Sequence, residues 1–275
     1  MLSKREKLYQ VAEGLRALRC PVCGGDLARV GDDFACEKRH RVNVNRKGCL
    51  NFLSTAVDSC YDAALFQARR RAFEAGCYQP VVDALEAMLP VEAQRLLDAG
   101  CGDGWYLNAL LQKHADWQGA GVDISRDAIL QATDQPCTAL WCVGDLRRLP
   151  FRSGAFTAIL DVLTPANYDE FRRVLVPGGL LLKVYPGSGY LREIRAARGM
   201  EPYAEGQVEA YPREKAHVVE ERRVTVSHRV TPELWRDFVW MTPLNQDLTD
   251  EKKERLAQRP AETVTVDLHI AAVKL

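Results

Sequence analysis

A turn with three alternate glycines is the segment of this chain best suited to hold a ligand. It reads Leu96-Leu97-Asp98-Ala99-Gly100-Cys101-Gly102-Asp103-Gly104-Trp105, so an apolar run ends in an acid just before the turn. Only glycine gives the φ angles and the close backbone approach that such a turn needs around a bulky ligand. The Gly-x-Gly-x-Gly spacing differs from the Gly-x-Gly-x-x-Gly of dinucleotide binders. It favours S-adenosylmethionine, which carries a sulfonium, an amino group and a carboxylate but no phosphate.

The polar groups of this turn suit both ends of the amino-acid part of that cofactor. Carboxylates near the turn are expected to hold the amino group, and the N-terminus of the following helix suits the carboxylate. A nicotinamide dehydrogenase is disfavoured, because its third glycine would come one residue later. The predicted cofactor-binding residues of the turn are Asp98, Gly100, Gly102, Asp103 and Gly104.

Acidic residues also lie at the ends of three later predicted strands. These strands are Gly119–Ile124, Ala139–Val143 and Thr157–Val162, and they follow a first strand at Arg95–Ala99. Asp123 is predicted to accept hydrogen bonds from the ribose hydroxyls, and Asp145 with Leu146 is predicted to meet the adenine amine. Asp161 is the candidate general base or proton acceptor. Each acid could instead cap a helix, and Asp161 could hold the cofactor.

The alternation of apolar strands with helical stretches predicts an α/β fold with a parallel sheet covered on both faces. Predicted helices include a basic one at Phe66–Ala75, which contains Arg69-Arg70-Arg71, and others at Pro80–Leu89, Trp105–Lys113, Tyr190–Arg198 and Pro232–Met241. Strands are predicted at Leu180–Tyr185 and Arg222–Val230, and Thr263–Val273 is expected to be a final edge or antiparallel strand. The polar stretch Met200–Glu221 fits a mobile lid, a target-facing insertion or a surface loop.

Four potential metal ligands lie near the N-terminus. Cys20, Cys23, Cys36 and His40 form the pattern Cys-x2-Cys-x12-Cys-x3-His. Two such pairs on neighbouring turns can close a tetrahedral zinc site, and four protein ligands make that site structural. A segment of this size rarely folds on an apolar core alone, and a metal can replace the core. Chance thiols or a redox pair are the alternatives.

Composition and charge narrow the class of protein further. The chain has 275 residues, 47% of them hydrophobic, and no run approaches the roughly 18 apolar residues of a membrane span. Nine cysteines without an export signal predict reduced thiols and a cytoplasmic protein. Residues 1–50 hold 11 Lys/Arg and 6 Asp/Glu, a net charge of 11 − 6 = +5. Lys38, Arg39 and Arg41 are therefore candidate phosphate contacts, with a solvated basic surface as the alternative.

These motifs resemble one known family. The cysteine–histidine pattern, Gly48-Cys49-Leu50-Asn51-Phe52-Leu53, Ala75-Gly76-Cys77-Tyr78-Gln79-Pro80 and the glycine turn occur in the order typical of 23S rRNA (guanine-N1)-methyltransferases. The stretch Thr164-Pro165-Ala166-Asn167-Tyr168-Asp169-Glu170-Phe171-Arg172-Arg173-Val174-Leu175 is similar to the Gram-positive type, which includes the tylosin-resistance methylases.

The resemblance implies a class I S-adenosylmethionine-dependent methyltransferase with a Rossmann-like, mainly parallel seven-stranded sheet and a small zinc-binding domain. The expected units are a zinc-binding, RNA-recognition domain over 1–55, a helical connector over 56–90 and the methyltransferase domain over 91–275. By position, Tyr78, Gly102 and Asp103 would contact the cofactor. Tyr190 stands where the family usually has a histidine that touches it. Asn167 and Tyr168 lie on the loop where a flipped guanine would enter, although loop packing explains them equally well.

The implied substrate is N1 of a guanine in the hairpin 35 region of 23S rRNA. Guanine-748 is favoured over the neighbouring guanine-745, and the resemblance extends to macrolide resistance and to a homodimer. Two other classes stay open: a small-molecule methyltransferase that carries a zinc knuckle, and a non-catalytic RNA-binding factor that keeps the cofactor fold.

Overall fold

The computed structural model describes residues 2–55, 62–92, 94–202 and 217–275. Most of the stretch Met200–Glu221, predicted as a lid, an insertion or a loop, lies outside these residues; its last five belong to a strand. The N-terminal part contains helix α1 (Lys4–Leu15) and four short strands: β1 (Ala28–Val30), β2 (Asp33–Ala35), β3 (Arg41–Asn43) and β4 (Leu50–Asn51).

Helices and strands alternate through the rest of the chain. The helices are α2 (Ala63–Glu74), α3 (Gln79–Met88), α4 (Trp105–Lys113), α5 (Arg126–Ala132), α6 (Tyr168–Val174), α7 (Arg192–Ala197), α8 (Pro232–Met241) and α9 (Asp250–Ala257). The strands are β5 (Arg95–Ala99), β6 (Gln118–Asp123), β7 (Leu140–Val143), β8 (Phe156–Val162), β9 (Leu175–Pro186), β10 (His217–Arg229) and β11 (Thr263–Lys274). No helix in the described ranges is long and apolar enough to cross a membrane.

The main sheet has eight strands in the order β10-β11-β9-β8-β5-β6-β7-β4. Strands β4 to β9 of this sheet run parallel, and β11 pairs antiparallel with both β9 and β10. The sheet has one strand more than predicted, because Leu50 and Asn51 pair with Cys142 and Val143 of β7. The final strand is antiparallel as one prediction had it, but it lies inside the sheet and β10 forms the edge.

Side chains alternate between the two faces of the sheet and enter two separate cores, as the two-residue period of a strand requires. Leu96 of β5 and Leu182 of β9 pack with α3, α4, α5 and α8 on one face. Leu97 and Leu181, their chain neighbours, pack with α1 and α6 on the other face. This three-layer arrangement confirms the predicted class I methyltransferase fold.

The N-terminal segment shares the second of these cores. Helix α1 begins with a capping box between Ser3 and Glu6, and its apolar face lies against β6 and β7. Leu18 then forms an antiparallel bridge with Phe151, which precedes β8. Contacts of this kind hold the cysteine–histidine segment, here called the zinc knuckle (residues 20–40), against the sheet. The division of the chain into domains at residue 55 stays a prediction.

Candidate active site

A cavity of about 1430 Å³ lies at the carboxyl ends of the central strands. Strand β5 pairs with β6 on one side and with β8 on the other, so the chain order reverses here, which is where ligands bind in open α/β sheets. The cavity is lined by most of the predicted site residues: Tyr78, Asp98, Gly100, Gly102, Asp103, Asp123, Asp145, Leu146, Asn167, Tyr168 and Tyr190.

The glycine turn follows β5 directly and is held by the neighbouring strand. Gly100 has a φ of 77°, and a Cβ there would lie 2.4 Å from the Thr164 hydroxyl oxygen. The Gly102 amide donates to Asp123 Oδ2 at 2.9 Å, so the carboxylate predicted for the ribose also holds the turn. Gly104 caps α4 and does not line the cavity; a Cβ there would lie 2.4 Å from Trp141. A glycine at position 104 therefore allows the close packing of the turn against Trp141.

Asp98 is 1% exposed and faces this cavity from β5. Burial, with the nearby negative charges of Asp123 and Asp161, raises the pKa of Asp98 to about 8. Within the described ranges, its Oδ2 atom is buried without a hydrogen-bond partner. A buried acceptor of this kind requires a donor, and a ligand ammonium would supply one. Burial also raises the pKa of Asp123.

Asp145 and Leu146 lie after β7 on the cavity wall. Arg147 Nη2 donates to Asp145 Oδ2 at 2.7 Å, and this contact holds the pKa of Asp145 below its usual value. The carboxylate is therefore ionised, and its second oxygen accepts the Arg147 amide at 2.8 Å. The position is consistent with a contact to an amine of the ligand.

Asp161 lies at the end of its strand, as predicted, but behind the wall of the cavity. It is fully buried at the end of β8 and is not among the residues that line the cavity. Its Oδ2 lies 3.0 Å from Nζ of Lys183, which lines the cavity from β9 and also donates to the Thr164 carbonyl. Burial raises the pKa of Asp161 to about 6 against the opposing effect of Lys183. The group that faces the cavity is thus the ammonium of Lys183.

Two residues predicted to contact the cofactor, Tyr78 and Tyr190, contact each other. The Tyr78 and Tyr190 hydroxyls lie 3.0 Å apart, at the start of α3 and before α7. Both rings are buried and line the cavity, and burial raises the pKa of Tyr78 well above its usual value. Tyr190 therefore occupies the same wall as Tyr78, and a tyrosine hydroxyl here can replace a histidine as a hydrogen-bonding group.

The arginine run of α2 was predicted only as part of a basic helix, but one of its residues lines the cavity. Three successive residues of a helix point about 100° apart, so the three arginine side chains extend towards different parts of the molecule. Arg70 Nε donates to Asp103 Oδ2 at 3.1 Å, and Arg71 binds Asp237 of α8 through both carboxylate oxygens. Arg69 lines the cavity beside Gly102. The helix thus contributes to the site instead of forming only a basic surface.

The loop before α6 forms another wall of the cavity. Asn167 caps α6 by accepting the Glu170 amide at 3.2 Å, and its amide group donates to the Leu146 carbonyl at 3.2 Å. Tyr168 is 7% exposed and packs in the core that contains Phe171. Both residues line the cavity, and both also have the packing roles given as alternatives.

Cys20, Cys23, Cys36 and His40 converge as predicted. Their ligand atoms all lie within 4.8 Å of one another. Cys36 Sγ lies 3.3 Å from His40 Nδ1, and Cys23 Sγ lies 3.7 Å from Cys36 Sγ. A tetrahedral zinc with about 2.3 Å bonds to sulfur requires ligand atoms about 3.8 Å apart. Three thiols and an imidazole at these distances fit Zn²⁺.

Lys38, Arg39 and Arg41 are exposed around this cluster. Arg41 Nη1 lies 3.9 Å from Asp33 Oδ2, a long and solvent-exposed contact that leaves its guanidinium accessible. Arg46 and Lys47, on the next turn, are exposed as well. The cationic surface predicted for phosphate contacts is therefore available.

A Rossmann-like sheet of this order, with a glycine turn after its first central strand and an acid-lined cavity there, defines a class I S-adenosylmethionine-dependent methyltransferase. The methyltransferase domain family matches residues 96–179. The chain is 30% identical to the 23S rRNA (guanine(748)-N(1))-methyltransferase of Streptomyces fradiae, over 90% of this chain and 92% of that protein. It belongs to the 23S rRNA (guanine-N1)-methyltransferases.

A second relative carries the same family description, and a solved structure shares the fold. The Bacillus subtilis protein YxjB, whose description places it in the same family, is 38% identical over 64% of this chain and 67% of its own. The structure of phosphoethanolamine N-methyltransferase 2 from Haemonchus contortus in complex with S-adenosylmethionine is 18% identical, with a TM-score of 0.50 over 79% of this chain and 60% of that one. The latter similarity shows the fold alone.

Proposed function

We propose that this protein transfers the methyl group of S-adenosylmethionine to N1 of a guanine in hairpin 35 of 23S rRNA, at the guanine-748 position. The similarity to the Streptomyces fradiae enzyme carries the proposal, since it extends over 90% of this chain and not over the sheet alone. As the family resemblance implies, the proposal includes a contribution to macrolide resistance and action as a homodimer.

The cavity residues fit the cofactor. The unpartnered Oδ2 of Asp98 would accept from its ammonium, Asp123 would meet the ribose, and Asp145 would meet the adenine amine. Gly102 has a φ of 55°, which favours glycine, and a Cβ there would lie 3.3 Å from the Phe66 ring, so a side chain would crowd the turn. When bound, the cofactor supplies the electrophilic methyl group, and the protein supplies alignment.

On the substrate side, guanine N1 must lose its proton as it takes the methyl group; this proton would pass to solvent water, and negative charge would build on O6. The Lys183 ammonium, held by Asp161 and the Thr164 carbonyl, faces the cavity and would stabilise that charge. Asp161 would then act by positioning Lys183 and not as the base that was predicted. Asn167 and Tyr168 would contact the flipped guanine from the loop before α6.

The zinc knuckle would bind the RNA rather than take part in the chemistry. Three thiolates and one imidazole leave no open coordination position, so the metal is structural. The exposed Lys38, Arg39 and Arg41 beside it would contact phosphates of the hairpin.

Primer extension on 23S rRNA tests the proposal, because methylation of guanine N1 blocks base pairing and stops reverse transcriptase. A hairpin 35 transcript is treated with the protein and S-adenosylmethionine, and the expected stop lies one nucleotide before guanine-748. Omission of the cofactor and replacement of that guanine by adenine are the controls. A stop at guanine-745 would correct the position, and no stop on any guanine would overturn the proposal.

A further inference from the structure

Arg69 is the cavity cation whose charge the protein leaves uncompensated at close range. Three cationic side chains line the cavity: Arg69, Arg147 and Lys183. Arg147 pairs with Asp145 at 2.7 Å, and Lys183 pairs with Asp161 at 3.0 Å. In the described part of the chain, no carboxylate lies within the 4.0 Å ion-pair distance of Arg69, although its chain neighbours Arg70 and Arg71 both have one.

The guanidinium of Arg69 is fixed over the glycine turn. Its Nη2 donates to the Met241 carbonyl at 3.3 Å, and its Cζ lies 5.5 Å from the centre of the Phe66 ring. A Cβ built on Gly102 would lie 3.6 Å from Nη1, so the guanidinium reaches the part of the turn that cradles a ligand. Burial raises the pKa of Asp103 and of Asp123, and the positive charge of Arg69 opposes this rise at both carboxyl groups.

The charges of the cavity separate the two ends of the cofactor's amino-acid part. Asp98, Asp103, Asp123 and Asp145 line the cavity, and their negative charges favour a cationic ligand, with Asp98 the acid assigned to the ammonium. A carboxylate placed among these acids would be repelled unless a cation met it. The N-terminus of α4 offers only a partial charge, whereas a guanidinium offers a full charge and two parallel N–H donors.

We infer that Arg69 binds the carboxylate of the methionine part of S-adenosylmethionine. The inference rests on the proposed use of that cofactor and adds a full positive charge to the helix N-terminus predicted to suit this group. Helix α2 thereby contributes a cofactor-binding residue from outside the matched methyltransferase region, which spans residues 96–179.

Calorimetric binding of two probes tests this assignment. S-adenosylmethionine has the carboxylate, and decarboxylated S-adenosylmethionine keeps the sulfonium and the ammonium but lacks it. Arg69→Gln should weaken binding of the first probe about 10- to 100-fold, the loss of a charge-assisted pair. It should leave the second probe within about 3-fold of wild type, and Arg69→Lys should recover part of the loss for the first probe.

A matched control removes an arginine of equal charge elsewhere. Arg236 of α8 forms an exposed ion pair with Glu254, so Arg236→Gln should leave both affinities unchanged. Equal weakening of both probes by Arg69→Gln would show a structural role and overturn the inference. If the wild-type protein bound neither probe, the proposed cofactor itself would be wrong, and this outcome is distinct from the first.

Discussion

Asp98 and Asp161 are buried at the carboxyl ends of adjacent strands, yet the protein compensates their charges differently. Asp161 has Lys183 at 3.0 Å and a pKa of about 6. In the described ranges no cationic side chain lies within the 4.0 Å ion-pair distance of Asp98, and its pKa is about 8. Uncompensated burial of a carboxylate is costly, and such residues cluster where a ligand completes the set of charges. The proposed cofactor would bring such a charge to Asp98 in its ammonium group.

This arrangement also makes stability depend on pH. The folded-state pKa of Asp98 lies above its unfolded value near 4, so the folded state binds a proton that the unfolded state releases. The resulting stabilisation is complete below about pH 4 and is lost as the pH rises through about 8. Without cofactor, the protein should therefore become less stable across this range.

Cofactor affinity should change with pH in the opposite direction. Because the ligand ammonium requires the ionised carboxylate of Asp98, binding should tighten by up to about 10-fold per pH unit from pH 6 towards 8. Calorimetry of S-adenosylhomocysteine in two buffers of different ionisation enthalpy measures both the affinity and the released proton. Asp98→Asn should bind more weakly at pH 8 and show a flat profile.

Asp145→Asn is the matched control for this experiment. Arg147 already lowers the pKa of Asp145, so Asp145 stays ionised between pH 6 and 8. Asp145→Asn should therefore weaken cofactor binding without changing how the affinity depends on pH. A wild-type affinity that stays constant between pH 6 and 8 would contradict the role given to Asp98.

At the scale of the elements, the zinc knuckle and the sheet are joined by local contacts. The Arg19 amide donates to the Pro150 carbonyl at 3.0 Å, and Arg152 Nη1 donates to Asp26 Oδ2 at 2.9 Å. These contacts join Arg19, just before the metal cluster, and Asp26, between its second and third cysteines, to the segment before β8. The glycine turn and the acids of the cavity belong to other elements, so loss of the metal should affect RNA binding first.

Cys20→Ser tests this separation. Removal of one thiolate should release most of the zinc and weaken rRNA binding by at least about 10-fold, since the basic turn would lose its fixed position. Cofactor affinity should stay within about 3-fold of wild type. Zinc content by mass spectrometry, RNA binding by filter retention and cofactor binding by calorimetry give the three values. Cys137→Ser, outside the cluster, is the control, and equal loss of both affinities would contradict the separation.

At the scale of the whole molecule, local sequence patterns predicted the elements well and the long-range pairs poorly. The bounds of two predicted helices, Trp105–Lys113 and Pro232–Met241, are those of the structure. The apolar periodicity of each helix and the residues that signal its ends are local in the sequence, so both helices can be predicted from it. The metal cluster was predictable for the same reason.

Features that depend on distant residues were not visible. The extra strand at Leu50 forms through its pairing with Cys142, which no pattern near residue 50 indicates. Asp161 was predicted as a base from its strand-end position, and its ion pair with Lys183, 22 residues away on another strand, has no signal in the sequence near it. Arg69 looked like one member of a surface run, and only the helix orientation separates it from Arg70.

Charge is also distributed over the whole molecule. The net charge is zero, yet residues 1–50 carry +5, which is concentrated around the metal cluster. Such segregation gives an otherwise neutral protein one face that attracts a polyanion. RNA affinity should therefore depend on salt through this face.

Replacement of Lys38, Arg39 and Arg41 together by glutamine should show this dependence. Loss of three phosphate contacts should lower the slope of log affinity against log salt concentration by about 2 to 3. Methylation should recover at high RNA concentration, because the cavity is unchanged. The matched control replaces three exposed basic residues near the C-terminus, Lys252, Arg255 and Arg259, and changes net charge equally. Filter binding at several salt concentrations measures both slopes, and equal slopes for the two variants would mean that the knuckle is not the RNA-binding face.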